Sequence, residues 1–223
     1  MTEASASERA YRVIRDGILD GSHQPGAMLG EASLAQALGV SRTPVRAALA
    51  RLQEEGWVVV YPKRGVLVRG LGDRQVLELA DARFVLETTA VDRAPADLRR
   101  RLADRLEESI AAQREAFAAR EVRSFVELTL QFHRGFVEAG GNEVLLELYD
   151  RLSDRHRFVL FASGARLLAR CAEIVDEHQQ LTDRLRAGDV RAFALILREH
   201  IGEVLPQQGQ QLGDLTPALL APS

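Results

Sequence analysis

Lysine is almost absent from this chain of 223 residues. Lys63 is the only one, so arginine carries nearly all of the 29 basic charges. Cysteine is equally scarce. Cys171 stands alone, which excludes an intrachain disulfide and fits a reducing cytoplasm. The residue itself reads as a small buried hydrophobe. Aromatics make up only 5% of the chain, so the core is expected to rest on Leu, Val, Ile and Ala. No apolar run approaches the roughly 18 residues that a membrane-spanning helix needs. The opening "MTEASASERAYRV" is polar and carries acids, unlike a secretory signal. A large charge of one sign is also missing, since the formal net charge is −3. Residues 1–70 hold nine Lys/Arg against seven Asp/Glu, and the remainder holds 20 against 25. A polyanion could be met at the N-terminal end, but the whole surface is not a nucleic-acid footprint.

What is present is helical periodicity. Tyr11, Ile14 and Ile18 recur at helical spacing over residues 6–20, and "GSHQPGAML" breaks the pattern. Residues 31–38 form a short helix that ends at Gly39, a natural left-handed stop. Ser41 is then a good N-cap for the next helix, "RTPVRAALARLQEE". Pro44 lies in its first turn, where a missing N–H costs nothing. Val45, Ala48, Leu49 and Leu52 make the inward stripe, leaving Arg42, Thr43 and Arg46 on a solvent-facing side. Beyond Gly56, "WVVVY", "PKRG" and "VLVR" spell two strands joined by a turn that carries Lys63 and Arg64. After Gly70 and Gly72 no strand signal remains. Helices are expected at about 73–94, 96–119, 121–139, 142–161, 165–187 and 189–207, followed by a flexible tail over 208–223. The fold class is therefore mainly α. An N-terminal winged helix-turn-helix with a two-stranded wing (residues 1–70) precedes an all-α helical bundle (residues 73–207).

A helix fits the major groove of B-DNA, and its N-terminal side chains reach base edges. Arg42 and Arg46 can each fork onto guanine or bind phosphate. Ser41 and Thr43 can donate to phosphate. Lys63 and Arg64 can reach the minor groove or the flanking backbone, with Gly65 allowing close approach. The run "PGAMLGEASLAQALGVSRTPVRAALARLQEEGWVVVYPKRGVLV" resembles the winged helix-turn-helix of the GntR family of bacterial transcription regulators. The resemblance places DNA contacts on Ser41, Arg42, Thr43, Arg46, Arg64 and Gly65. Ala32 stands where some members carry a further DNA-touching arginine, and Ala47 replaces a usual glutamate.

In the helical half, His133, His178 and His200 each fall on the inward face of a different helix. One buried histidine is usually a satisfied core residue. Three on three helices can instead share one divalent ion such as Zn²⁺, Ni²⁺ or Mn²⁺. "LADARFVLE", "FHRGFVEAGGN", "IVDEHQQLTDRLRAGD" and "LREHIGEV" resemble the FCD effector domain, which defines the FadR-like branch of the family. In its metal-binding members an Asp four residues before the first histidine completes the ligand set, and here that position is Thr129. A His₃ metal site, a metal-free acid pocket and a vestigial site are all open. The resemblance implies a small carboxylic acid as effector, with Arg83 and Thr129 facing it. Arg83 has an alternative as the ion-pair partner of Glu87. His156 has no part in the resemblance and His23 falls in a loop. The expectation is a cytoplasmic, homodimeric regulator, most simply a repressor, that binds a pseudo-palindromic operator and no membrane. It has no catalytic residues: no helical "HExxH" and no Ser–His–acid grouping stands out. The alternatives are a metal-dependent hydrolase of helical fold and a constitutive DNA-binding protein.

Overall fold

The computed structural model describes residues 5–203. The expected tail over 208–223 and the last turn of the final helix, 204–207, lie outside the described residues. The chain divides between Leu71 and Gly72 into two compact units.

The first unit holds α1 (Ala6–Leu19), β1 (Met28–Leu29), α2 (Glu31–Leu38), α3 (Arg42–Glu54), β2 (Val58–Tyr61) and β3 (Gly65–Val68). Its core is built from Ile14, Ile18, Val45, Leu49, Leu52, Val58 and Val66, all essentially buried. Gly39 ends α2 in the left-handed region (φ 64°), which keeps the turn into α3 short. The sheet is three-stranded, in the order β1-β3-β2 and antiparallel throughout. The third strand corrects the expected two-stranded wing. Its two residues, Met28 and Leu29, pair with Leu67 and Val66, and two residues are too few to show alternation in a sequence. This pairing also explains Gly65. Its φ is +114°, and a Cβ there would sit 3.0 Å from the Leu29 carbonyl oxygen. The glycine is required by the sheet itself, independently of any DNA.

The second unit holds α4 (Asp73–Arg93), α5 (Ala96–Ala118), α6 (Val122–Ala139), α7 (Glu143–Ser163), α8 (Ala165–Ala187) and α9 (Val190–Glu203). The side chain of Gln75 accepts from the Gly72 N–H (3.2 Å) at the start of α4, and Asn142 caps α7 by accepting from the Leu145 N–H (3.2 Å). Gly188 stops α8 with φ 73°. The few aromatics are not spread thinly. Phe125, Phe132, Phe136 and Phe193 are fully buried in one core cluster, with Leu, Ile, Val and Ala around them. Cys171 is buried there too, and burial raises its thiol pKa, in keeping with a packing role. Arg186 links α8 to Asp104 and Glu107 of α5, so the arginine- and acid-rich surface of α5 serves as a salt-bridged, solvated face. None of the described helices is long and apolar enough to cross a membrane.

The end of α6 packs tightly on α4 at Gly140, where a Cβ would lie 2.9 Å from both Cα and Cβ of Ala90. Backbone cannot swing aside as a flexible side chain can. Gly140→Ala is expected to destabilise the helical unit by about 1–3 kcal/mol, read from the denaturant midpoint of the full chain. An unchanged midpoint would mean that the two helices are free to separate there.

Candidate metal centre and DNA-facing helix

Three acceptors fix the tautomers of three histidines. His133 Nδ1 lies 2.8 Å from Glu87 Oε2, His178 Nδ1 lies 2.7 Å from Gln113 Oε1, and His200 Nδ1 lies 2.5 Å from Glu177 Oε2. An ionised carboxylate only accepts. The Gln113 amide donates its NH₂ to Ser109 Oγ (3.3 Å), which turns its oxygen toward His178. Each imidazole therefore carries its proton on Nδ1, and each Nε2 presents a bare lone pair. The Nε2 atoms of His133 and His200 stand 3.1 Å apart. Nε2 of His178 is buried and has no hydrogen-bond partner among the described residues. One nitrogen from each residue lies within 4.8 Å of the others.

Two lone pairs facing each other at 3.1 Å repel unless a proton or a cation lies between them. Ligand nitrogens at about 2.0–2.1 Å from one ion are separated by roughly 3.0–3.4 Å, so the spacing suits a shared metal. The apolar surroundings favour neutral imidazole. Burial, joined by the charge of Arg83 and the neighbouring imidazoles, holds His133 and His178 well below the ordinary histidine pKa. Phe132 stacks on His178 at 4.0 Å between ring centres, and Phe136 meets His133 edge-on.

Glu87 anchors the centre from α4. It is fully buried and accepts from His133, from Arg83 Nε (3.1 Å) and from the Tyr149 hydroxyl (3.0 Å). Burial pushes its carboxyl pKa up, against the pull of the Arg83 guanidinium. Burial also raises the Tyr149 phenol well above its ordinary value, helped by Glu87, so Tyr149 stays a donor. Arg83 is thus both an ion-pair partner of Glu87 and a neighbour of the histidines. Its Nη1 donates to His156 Nε2 (2.9 Å). That contact puts the His156 proton on Nδ1, because arginine can only donate.

Sequence reasoning missed Tyr149, Gln113 and Glu177, and gave His156 no role. The first three look like ordinary helix residues. Placement opposite a histidine reveals Gln113 and Glu177, and the hydrogen bond to Glu87 reveals Tyr149. His156 is buried with its ring 5.9 Å from that of His133. Thr129 lies one turn before His133 on α6, buried, and its hydroxyl has no partner among the described residues. The same holds for the buried Arg83 Nη2 and His156 Nδ1. Arg134, beside His133 in sequence, instead pairs with Asp150 at the surface.

In the N-terminal unit Ser41, Arg42, Thr43 and Arg46 are all exposed at the start of α3, and Lys63 and Arg64 are exposed at the β2–β3 turn. Lys63 holds a left-handed φ of 63°, uncommon for a residue with a side chain. Ser41 occupies the N-cap position, but its hydroxyl does not cap the helix. A capping oxygen accepts from the second or third helical amide, and the third residue here is Pro44, which has none. Arg46 donates from Nε to Glu31 (2.7 Å), a surface pair of about 0–1 kcal/mol that a stronger partner can displace.

A winged helix-turn-helix joined to a helical unit with a polar, histidine-lined centre defines a DNA-binding regulator with a separate helical domain. Comparison with known proteins agrees. Residues 6–68 match the description "Bacterial regulatory proteins, gntR family", and residues 78–203 match the FCD domain. The chain belongs to the GntR family of bacterial transcription regulators, in its FadR-like, FCD-containing branch. The HTH-type transcriptional repressor GlaR of Escherichia coli (strain K12) is 27% identical over 207 residues, covering 88% of this chain and 92% of that protein. The repressor RspR of the same organism is 26% identical over 203 residues, covering 89% and 86%. A solved GntR transcriptional regulator from Rhodococcus sp. RHA1 superposes with a TM-score of 0.75 at 25% identity, covering 90% of this chain and 95% of that one.

Glu87→Leu would leave a buried guanidinium, a phenol and an imidazole N–H without their shared acceptor. A loss of about 3–5 kcal/mol in unfolding free energy is expected, measured by urea titration. A variant as stable as wild type would show that Glu87 is not the anchor of the cluster.

Proposed function

We propose that this chain is a homodimeric repressor that releases DNA when a small carboxylic acid binds at a metal centre in its helical domain. In this reading residues 1–70 form the DNA-binding domain and residues 73–207 the sensor. His133, His178 and His200 hold a divalent ion through Nε2. The observation that carries the reading is the convergence of three proton-free Nε2 atoms whose Nδ1 atoms are already committed to acceptors. Such an arrangement of outer partners orients imidazoles toward a metal and raises their basicity. A bound ion would supply a Lewis-acidic anchor for a carboxylate. Arg83 Nη2 and the Thr129 hydroxyl would receive the acid's remaining oxygens, and arginine binds carboxylates through directional, charge-assisted hydrogen bonds.

On DNA, Arg42 and Arg46 read base edges or phosphate from the start of α3. Ser41 and Thr43 donate to phosphate, and the uncapped amides at the helix start favour the same anion. Lys63, Arg64 and Gly65 at the wing reach the flanking backbone. Two copies related by a two-fold axis would address a pseudo-palindromic operator. The acid weakens DNA binding by favouring one arrangement of the domains. Thermodynamic linkage makes that coupling reciprocal, typically about 1–3 kcal/mol.

Arg42→Ala and Arg46→Ala are each expected to weaken binding to a genuine operator by about 1–3 kcal/mol in gel-shift titrations. Unchanged affinity in both would remove α3 from recognition. His178→Ala is expected to abolish stoichiometric metal, measured by elemental analysis after loading and dialysis with acetate, lactate or succinate present throughout. Wild type without metal after the same treatment would remove the centre.

A further inference from the structure

The three imidazoles of the proposed centre bring no negative charge. Among the described residues the cluster that could hold an ion contains His133, His178 and His200 and no carboxylate. The nearest acids are already committed. Glu87 serves Arg83, Tyr149 and His133, and Glu177 serves His200 and the guanidinium of Arg170 (2.8 Å). One turn before His133, where an acid could be supplied on the same helix face, stands neutral Thr129. His133 and His178 are fully buried and His200 nearly so. An uncompensated cation in such a place is costly, by several kcal/mol.

We infer that this chain takes up its divalent ion and its acid as a mutually dependent pair, the acid supplying the negative charge that the chain withholds. The inference rests on the metal-centre reading above and goes beyond it. The chain already offers the acid its hydrogen bonds. Arg83 Nη2, His156 Nδ1–H and the Thr129 hydroxyl are buried donors without partners among the described residues. His156 is a positioning residue for the anion. It accepts from Arg83 on one nitrogen, which fixes the guanidinium, and its one N–H is left unpaired among the described residues. By linkage, whatever factor the acid adds to ion affinity, the ion adds to acid affinity. Either one alone is bound weakly, so the domain responds to their coincidence.

The test is the zinc affinity of the full-length chain, measured by competition with a chromophoric chelator. It is run without acid and with acetate, lactate or succinate, each corrected for its own zinc binding. At least one acid is expected to tighten zinc by about 5–150-fold. Thr129→Asp is expected to tighten zinc without acid and to shrink the enhancement. His156→Leu, checked for helicity and compared with its own acid-free zinc affinity, is expected to lose most of the enhancement. Stoichiometric zinc in wild type with the same affinity in all four conditions would overturn the coupling while leaving the metal centre standing. No stoichiometric zinc under any condition would remove the centre, and the coupling with it. If Thr129→Asp fails to fold, the wild-type comparison still decides.

Discussion

A single buried carboxylate organises the helical domain. Glu87 on α4 accepts at once from Arg83 on its own helix, Tyr149 on α7 and His133 on α6. A charge this deep is tolerated only because a permanent cation and two further donors surround it. The arrangement propagates. Arg83, fixed by Glu87, donates to His156, and His133, fixed by Glu87, presents Nε2 toward His200. Gln113 on α5 and Glu177 on α8 repeat the device for His178 and His200. Six helices thus contribute to one polar centre, and Phe132 and Phe136 supply its apolar wall.

The N-terminal unit works by the opposite economy. There the groups proposed to meet DNA lie exposed on the outside. Pro44 removes one of the two amides that Ser41 could cap and Ser41 does not cap the other, so both the hydroxyl and the helix start stay available. Gly65 permits β1 to join the sheet, so β3 is paired on both sides while β2 stays at the edge. The turn between β2 and β3 carries Lys63 in a strained left-handed conformation. Arg46, also exposed, is held by Glu31.

The legibility of these features in the sequence follows their range. Helix ends were readable because Gly39, Pro95, Gly140–Asn142 and Gly188 act on their immediate neighbours. The inward histidines were readable because helical spacing places them beside Ile174, Leu181, Phe193 and Ile196. Their partners were not. Gln113 lies 65 residues from His178 and Tyr149 lies 62 from Glu87, and nothing local distinguishes a glutamine that orients an imidazole from one on a solvated face. β1 escaped for another reason, since two residues pair only because β3 is already there. The expected Leu, Val, Ile and Ala make up most of the core cluster. Composition records how many aromatics there are, while packing gathered five phenylalanines, Phe84 included, into that one cluster.

The unpaired atoms of the helical domain have an energetic meaning together that none has singly. Arg83 Nη2, Thr129 Oγ1, His156 Nδ1 and His178 Nε2 are four of the five buried side-chain polar atoms without partners among the described residues. Each costs about 1–3 kcal/mol in a site closed to water, against a total stability of about 5–15 kcal/mol for a typical domain. A fold selected only to persist would replace such residues with apolar ones. Here the residues that carry the cost come from four helices and are tied together through Arg83, His156 and the His133–Glu87 pair. A ligand that satisfies them restores stability to all four helices in one event, and so selects one packing of the bundle over its alternatives. In the proposed reading, the same unsatisfied groups that weaken the domain alone are what would let a small anion and an ion change its state.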